Sequence, residues 1–343
     1  MNTNHQPTIM SRRDALRVLA VASGSAAFAS PALALIFGST ANQDTLLKWY
    51  QLKPNHYAFV DLNTGGNALI HITDNAVVMI DTKYPHFAGA MKADAATVSK
   101  SDAPEITLIN THHHGDHTAG NAIIIPTAVA SYAHKNAIPR IQSQLDTFKT
   151  TGSAASERIK GFSDSKALAD LAKQAASKAE SWTNEDITPK NPIDTQTTDL
   201  TIDGSNITLH HFGAGHTDND LVVHFKDDNL IHTGDLVFNG LHPYFDPPAG
   251  VTALGWLLAL NSTYNLCDES TTVVPGHGEP SDRTIIANQM NYITSIITNV
   301  QAEIKKDTPK EDILNMEWDF MKDLGFGSIR ERAISAVYDE LKG

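Results

Sequence analysis

The chain has 343 residues, 41% of them hydrophobic, and a formal net charge of −13 at pH 7. Such a length and apolar content allow one large core, and an acidic surface repels phosphate backbones, which sets nucleic acid aside as a partner. The single cysteine, Cys267, forms no intrachain disulfide and, after Tyr264 and Leu266, reads as a buried, inert thiol.

The N-terminus reads as an address rather than as fold. Ser11-Arg12-Arg13-Asp14-Ala15-Leu16-Arg17 precedes an Ala-rich apolar run from Val18 to Phe28, and Ala32-Leu33-Ala34 offers small residues to a signal peptidase. The run is too short and too weakly apolar to span a bilayer comfortably. It resembles a twin-arginine export signal, with Ala15 where a large apolar residue is usual. Residues 1–34 are therefore expected to be removed, leaving 35–343 as an exported or periplasmic domain without a membrane anchor. Removal takes three Arg and one Asp, so the mature chain is more acidic still.

From about Tyr57 the chain reads as short strands at 57–61, 67–73 and 76–81, separated by Thr64-Gly65-Gly66 and Asp74-Asn75. A helix over 87–100 and an apolar strand over 106–110 follow, and the strand delivers directly into a histidine-rich loop. Residues 133–182 form a polar, Ala- and Lys-rich helical insertion. Leu168, Leu171, Ala172, Ala175, Ala176 and Ala179 share one face there, with Lys166, Lys173 and Lys178 largely off it. That pattern reads as a solvated amphipathic helix capping the surface; a lid over the site is the alternative. A second wave of strands lies at 200–202, 206–212, 220–225 and 229–232, with Asp203-Gly204 and Asp227-Asp228 as turns. A helix over 251–264 and a strand over 271–274 come next. After Ser281 the chain is helical, and Ile286, Met290, Ile293, Ile297, Val300 and Ile304 step by four and three along a core-facing stripe. Two β-rich halves with helices outside both predict an α/β fold of one domain, a four-layer αββα sandwich.

Histidines and aspartates collect where these strands end. In Thr111-His112-His113-His114-Gly115-Asp116-His117, residues two apart on an extended segment point the same way, so His112 and His114 reach one ion together. Gly115 lets the backbone turn, redirecting Asp116 and His117 toward a second ion. His113 lies between these directions and is left out of the ligand set. His216, Asp235 and His277 each follow a strand and stand beside glycine, and they complete the two sites, Asp235 linking both ions with one carboxylate. Imidazole and carboxylate suit zinc, and also iron or manganese, and a site holding two such ions with room for water implies hydrolysis.

These residues identify the chain as resembling the metallo-β-lactamase superfamily. The family's His-x-His-x-Asp-His loop matches residues 112–117, and its later His, Asp and His match His216, Asp235 and His277. Asn67 and Asp81 match its early strands. Over residues 55–280 the resemblance implies the αββα fold and two zinc ions per chain. His112, His114 and His216 then hold one, Asp116, His117 and His277 hold the other, and Asp235 lies between. It also implies Asp81 as a buried support for the loop. The expected activity is attack of hydroxide on an ester, lactone, thioester or amide carbonyl of a small molecule, β-lactams included, with Asp116 returning a proton to the leaving group.

Lactamases of the best-known class carry Cys at the position of Asp235 and a Lys three residues later, where this chain has Phe238; the departure weakens a β-lactam assignment. Glutathione-thioester hydrolases share the Asp but end in a basic helical portion. Phe238, His242, Tyr244, Phe245 and Trp256 are expected to wall an apolar substrate pocket. Two rivals remain: a persulfide dioxygenase with a single iron on His112, His216 and Asp235, and a non-catalytic binding protein on the same fold.

Overall fold

The computed structural model describes residues 45–61 and 63–343. The export-signal reading at 1–34 lies outside them. Among the described residues no helix is long and apolar enough to cross a membrane.

Two sheets form the centre. The first takes β1 (Tyr50–Lys53), β2 (His56–Phe59), β3 (Ala68–Ile72), β4 (Ala76–Ile80), β5 (Glu105–Ile109), β6 (Ala130–His134) and β7 (Asn191–Ile193) in sequence order. The second runs β12 (Thr272–Val274), β11 (Leu230–His232), β10 (Val222–Phe225), β9 (Ser205–His210) and β8 (Thr197–Ile202). β3 and β4 are buried at every position because both their faces are covered. Leu69, Val78 and Ile80 turn inward and meet Leu209, Val223, Phe225 and Val274 of the other sheet. The alternate residues Ala68, Ile70, Val77 and Met79 turn outward onto a helical layer.

That outer layer is made by helices Pro85–Val98 and Lys166–Lys178, whose apolar faces meet through Phe87, Met91, Leu168 and Ala172. Ser165 caps the second of them, its hydroxyl accepting from the Leu168 amide at 3.4 Å. On the far side, helices Ala253–Tyr264, Thr284–Lys305 and Arg330–Lys342 cover the five-stranded sheet through Trp256, Leu260, Ile286, Ile293 and Val337. The αββα sandwich is as expected. Cys267 is buried, its thiol 3.4 Å from the Thr263 carbonyl, and burial pushes its pKa up to about 11.

Three strands escaped the sequence reading. β1 and β7 are edge strands of four and three residues, and β7 carries Pro192, which reads against a strand. β6 moves the start of the insertion: Ala133 and His134 pair with Pro192 and Ile193, so the helices begin only at Ala137. Helix Lys166–Lys178 has the amphipathic face expected of it, but that face completes the core layer rather than floating on the surface.

Candidate metal centre

Strand direction decides where the chemistry sits. β4, β5 and β6 run parallel, as do β11 and β12, and β9 shares the direction of β11 because both pair antiparallel with β10. Asp81, the loop 111–117, His216, Asp235 and His277 thus follow the carboxyl ends of β4, β5, β9, β11 and β12, and all emerge at one end of the sandwich.

There the seven side chains named from the sequence converge. His112, His114, His216 and Asp235 form one group, and Asp116, His117 and His277 another. His114 Nδ1 and His216 Nε2 are 3.0 Å apart. Asp235 joins the groups: Oδ2 lies 3.7 Å from His112 Nε2, 3.5 Å from His216 Nε2 and 3.4 Å from His277 Nε2, and Oδ1 lies 3.1 Å from His117 Nε2. Asp116 Oδ2 stands 3.2 Å from His277 Nε2. All but Asp116 and His114 are buried.

Four of the five rings are aimed by a bond on the other nitrogen, the exception being His277, whose Nδ1 is buried without a partner. Asp81 accepts from the Thr111 amide and hydroxyl at 2.8 and 2.7 Å and meets His117 Nδ1 at 2.8 Å. Thr111 in turn touches His112 Nδ1. The Tyr244 carbonyl holds His216 Nδ1 at 2.9 Å, and Asp246 holds His114 Nε2 at 3.0 Å. Such bonds fix tautomer and orientation in imidazoles that bind metal. With those bonds made, His112 Nε2, His117 Nε2 and Asp235 Oδ1 remain buried without a hydrogen bond, pointed at a common volume. Buried polar atoms are nearly always satisfied, and a divalent cation would satisfy these. The donor set fits zinc, iron or manganese.

The backbone leaves no slack around this group. A Cβ on Gly66 would sit 2.0 Å from the His117 ring, and one on Gly276 would sit 1.9 Å from Asp235 Oδ1. Asn67 donates to the carbonyls of Pro275 and Gly278 at 2.9 and 2.8 Å, tying the first sheet to the His277 loop.

The electrostatics match ligation. Burial, with the neighbouring imidazoles, pushes His112 well down and His216 to about 3, so both are neutral lone-pair donors. Burial opposes charge on His277 too, yet Asp235 and Asp116 outweigh it and raise it to about 9; His117 is raised for the same reason. Burial also works against ionised Asp235 and Asp116, but His277 and His117 hold both carboxyls below the ordinary range. Two carboxylates that raise adjacent histidines in this way favour positive charge at this point.

A cavity of about 690 Å³ opens above the group, with His114, Asp116, Asp235 and His277 in its floor. Of the expected pocket residues, Phe238 and Tyr244 line it. His242 and Phe245 do not: His242 is buried against the Tyr292 hydroxyl at 2.9 Å, and Phe245 packs on Trp256, which is itself fully buried. These three hold up the wall from behind. His113 stays out of both groups named above and bonds Asn219.

The sequence reading missed several lining residues: Asn63 and Gly65 from the loop before β3, Tyr84 at the start of helix Pro85–Val98, Thr147, Thr151 and Arg158 from the insertion, and Phe326, Ser328 and Ile329 from the C-terminal segment. It also missed Lys83, fully buried at φ +52° beneath the floor, its ammonium donating to Thr64 Oγ1 at 2.9 Å. Burial pushes that amine down to about 7, against the pull of Asp116, Asp61 and Asp81. Its place directly after the Asp81 strand end was the available signal.

A two-sheet sandwich with a His/Asp group at its strand ends defines the metallo-hydrolase fold. The model of the metallo-beta-lactamase superfamily matches residues 63–277, and the chain belongs to that family. No curated protein matches it. Among solved structures it is similar to the stereoselective inverting sec-alkylsulfatase Pisa1 from Pseudomonas sp. (14% identity, TM-score 0.60, 85% of this chain and 50% of that one). It is also similar to the DIM-1 metallo-beta-lactamase (17% identity, TM-score 0.51, 73% and 97%) and to a metallo-beta-lactamase from Pontibacter korlensis (18% identity, TM-score 0.50, 73% and 99%). The chain spans about half the length of the alkylsulfatase. At these identities the likeness is one of fold.

Proposed function

We propose that the protein is a hydrolase with two divalent metal ions, zinc by preference, acting on an ester, lactone, thioester or amide carbonyl of a small molecule outside the cytoplasm. The observation that carries this reading is Asp235, whose two oxygens face histidines of both groups at 3.1–3.7 Å. His112, His114 and His216 would hold one ion and Asp116, His117 and His277 the other. When bound, such a pair supplies Lewis acidity and a water acidified to near neutrality. The periplasmic setting rests on the Arg12-Arg13 leader alone.

The chain's own residues then do the positioning. Asp81, Asp246 and the Tyr244 carbonyl keep the rings from turning as charge builds in the site. Asp116 stands in the cavity floor with its carboxyl held ionised, so it takes up a proton before it delivers one to a leaving group. Tyr84, Phe238, Tyr244, Phe326 and Ile329 give the cavity an apolar wall that excludes water and receives an apolar substrate body. Phe238 stacks flat on His277, ring centroids 5.0 Å apart, and so orients a ligand where some lactamases bind a carboxylate. This supports a substrate other than a β-lactam.

The test is chelation and reloading of the full chain, assayed on lactones, thioesters, β-lactams, phosphodiesters and alkyl sulfates. Turnover of a carbonyl substrate that vanishes on chelation and returns with zinc supports the proposal. Iron-dependent oxygen uptake on a persulfide, with none of the panel hydrolysed, overturns it.

A further inference from the structure

A second histidine cluster lies at the other end of the sandwich. β3 begins beside Asn67, which holds the His277 loop, and ends near His71. There His71 pairs across the strands with His56 of β2, ring centroids 4.2 Å apart, and both are buried between the sheets. Directly opposed residues on paired strands bring their side chains close enough to reach one ion. From the other sheet, the turn between β10 and β11 brings Asp228, whose carboxylate lies 3.7 Å from His56 Nε2 and is 39% exposed. One ligand atom from each of the three falls within 4.8 Å of the others.

The decisive feature is an imidazole with nothing to bond. His56 is 0% exposed, and neither of its ring nitrogens has a hydrogen-bond partner, while His71 Nε2 meets Ser205 Oγ at 2.8 Å. Packing alone would be served as well by the apolar side chains that fill the rest of this interface, among them Phe225, whose ring meets His56 edge-on at 4.7 Å. Burial, then His71 and Lys53, lower the His56 pKa to about 3, which leaves the neutral form that binds metal. Of the nearby lysines, Lys100 is already paired with Asp74 at 3.0 Å.

We infer that His56, His71 and Asp228 form a structural site for one divalent transition-metal ion of the zinc type, clamping the two sheets at the end opposite the catalytic centre. Two imidazoles and a carboxylate suit that ion, and a water would fill the fourth position.

Zinc titration of the chelator-stripped full chain, followed by calorimetry and thermal melting, tests the site in the wild type, Asp228→Asn and His71→Asn. The wild type is expected to bind one zinc more than either variant, or to bind it at least 10-fold more tightly, and to gain an increment in Tm that both variants lack. Asp228 sits on an exposed turn, so Asp228→Asn keeps the test sound if His71→Asn fails to fold. Equal zinc number and affinity in the wild type and Asp228→Asn overturn the site. The readout is independent of turnover, so a chain without hydrolytic activity leaves it in force.

Discussion

The floor and the walls of the cavity are built in different ways. The floor is made of strand ends from both sheets, locked by buried bonds from Asp81, Asn67 and the Tyr244 carbonyl, with glycines where no side chain fits. The walls come from short helices of the insertion and from the C-terminal segment, and Thr147, Arg158 and Ser328 are exposed there. A rigid floor fixes the reacting atoms, while walls on peripheral segments can change without disturbing it. On the proposed function, reaction type would be held by the scaffold and substrate choice by its additions.

Substitutions at graded distance from the floor sharpen this contrast. Asp235→Ala removes the one carboxylate shared by both groups. It should release at least one metal ion and lower kcat/KM by more than the roughly 10–100-fold typical of residues that only support ligands; wild-type activity in that variant would break the contrast outright. Asp81→Asn keeps the ligands but weakens the hold on Thr111 and His117, and a loss of about 10–100-fold in activity or metal affinity is expected. Behind the wall, Leu168→Ala empties a fully buried position between two helices and should cost about 2–5 kcal/mol in denaturant unfolding, with zinc affinity of the folded protein unchanged. Phe326→Ala and Arg158→Ala should move KM several-fold among substrates and leave kcat for the best one nearly intact; an equal collapse of kcat would place these residues in the floor.

A pH effect on stability follows from histidines outside the floor. Burial lowers His86, His134 and His210 to about 4 in the fold, against 6.5 when unfolded. Below pH 6.5 the unfolded chain therefore binds protons that the folded chain refuses. The stability these neutral rings contribute is present above about 6.5 and lost as pH falls toward about 4, and the Tm should drop over that window. A Tm that holds steady from pH 7 to 4.5 would contradict the assignment.

The same division explains what was legible in the sequence. The floor was readable because metal ligands are few residue types at fixed spacing after apolar strands, and all seven named residues converge. The sandwich was readable from β-branched runs and from the stripe along Thr284–Lys305. The walls were not. Phe326 and Arg158 look like ordinary residues of helical segments until the chain folds back, and His242, Phe245 and Trp256, grouped with the pocket by their nearness to Asp235, turn into the core. The edge strands β1 and β7 are too short for a period-two signal, and β6 hid at the start of an insertion.

Anomalous diffraction from zinc-loaded crystals tests the central claim most directly. Two peaks are expected on either side of the Asp235 carboxylate, one among His112, His114 and His216 and the other among Asp116, His117 and His277. A lone peak on His112, His216 and Asp235, or none in this region, would contradict the two-metal account.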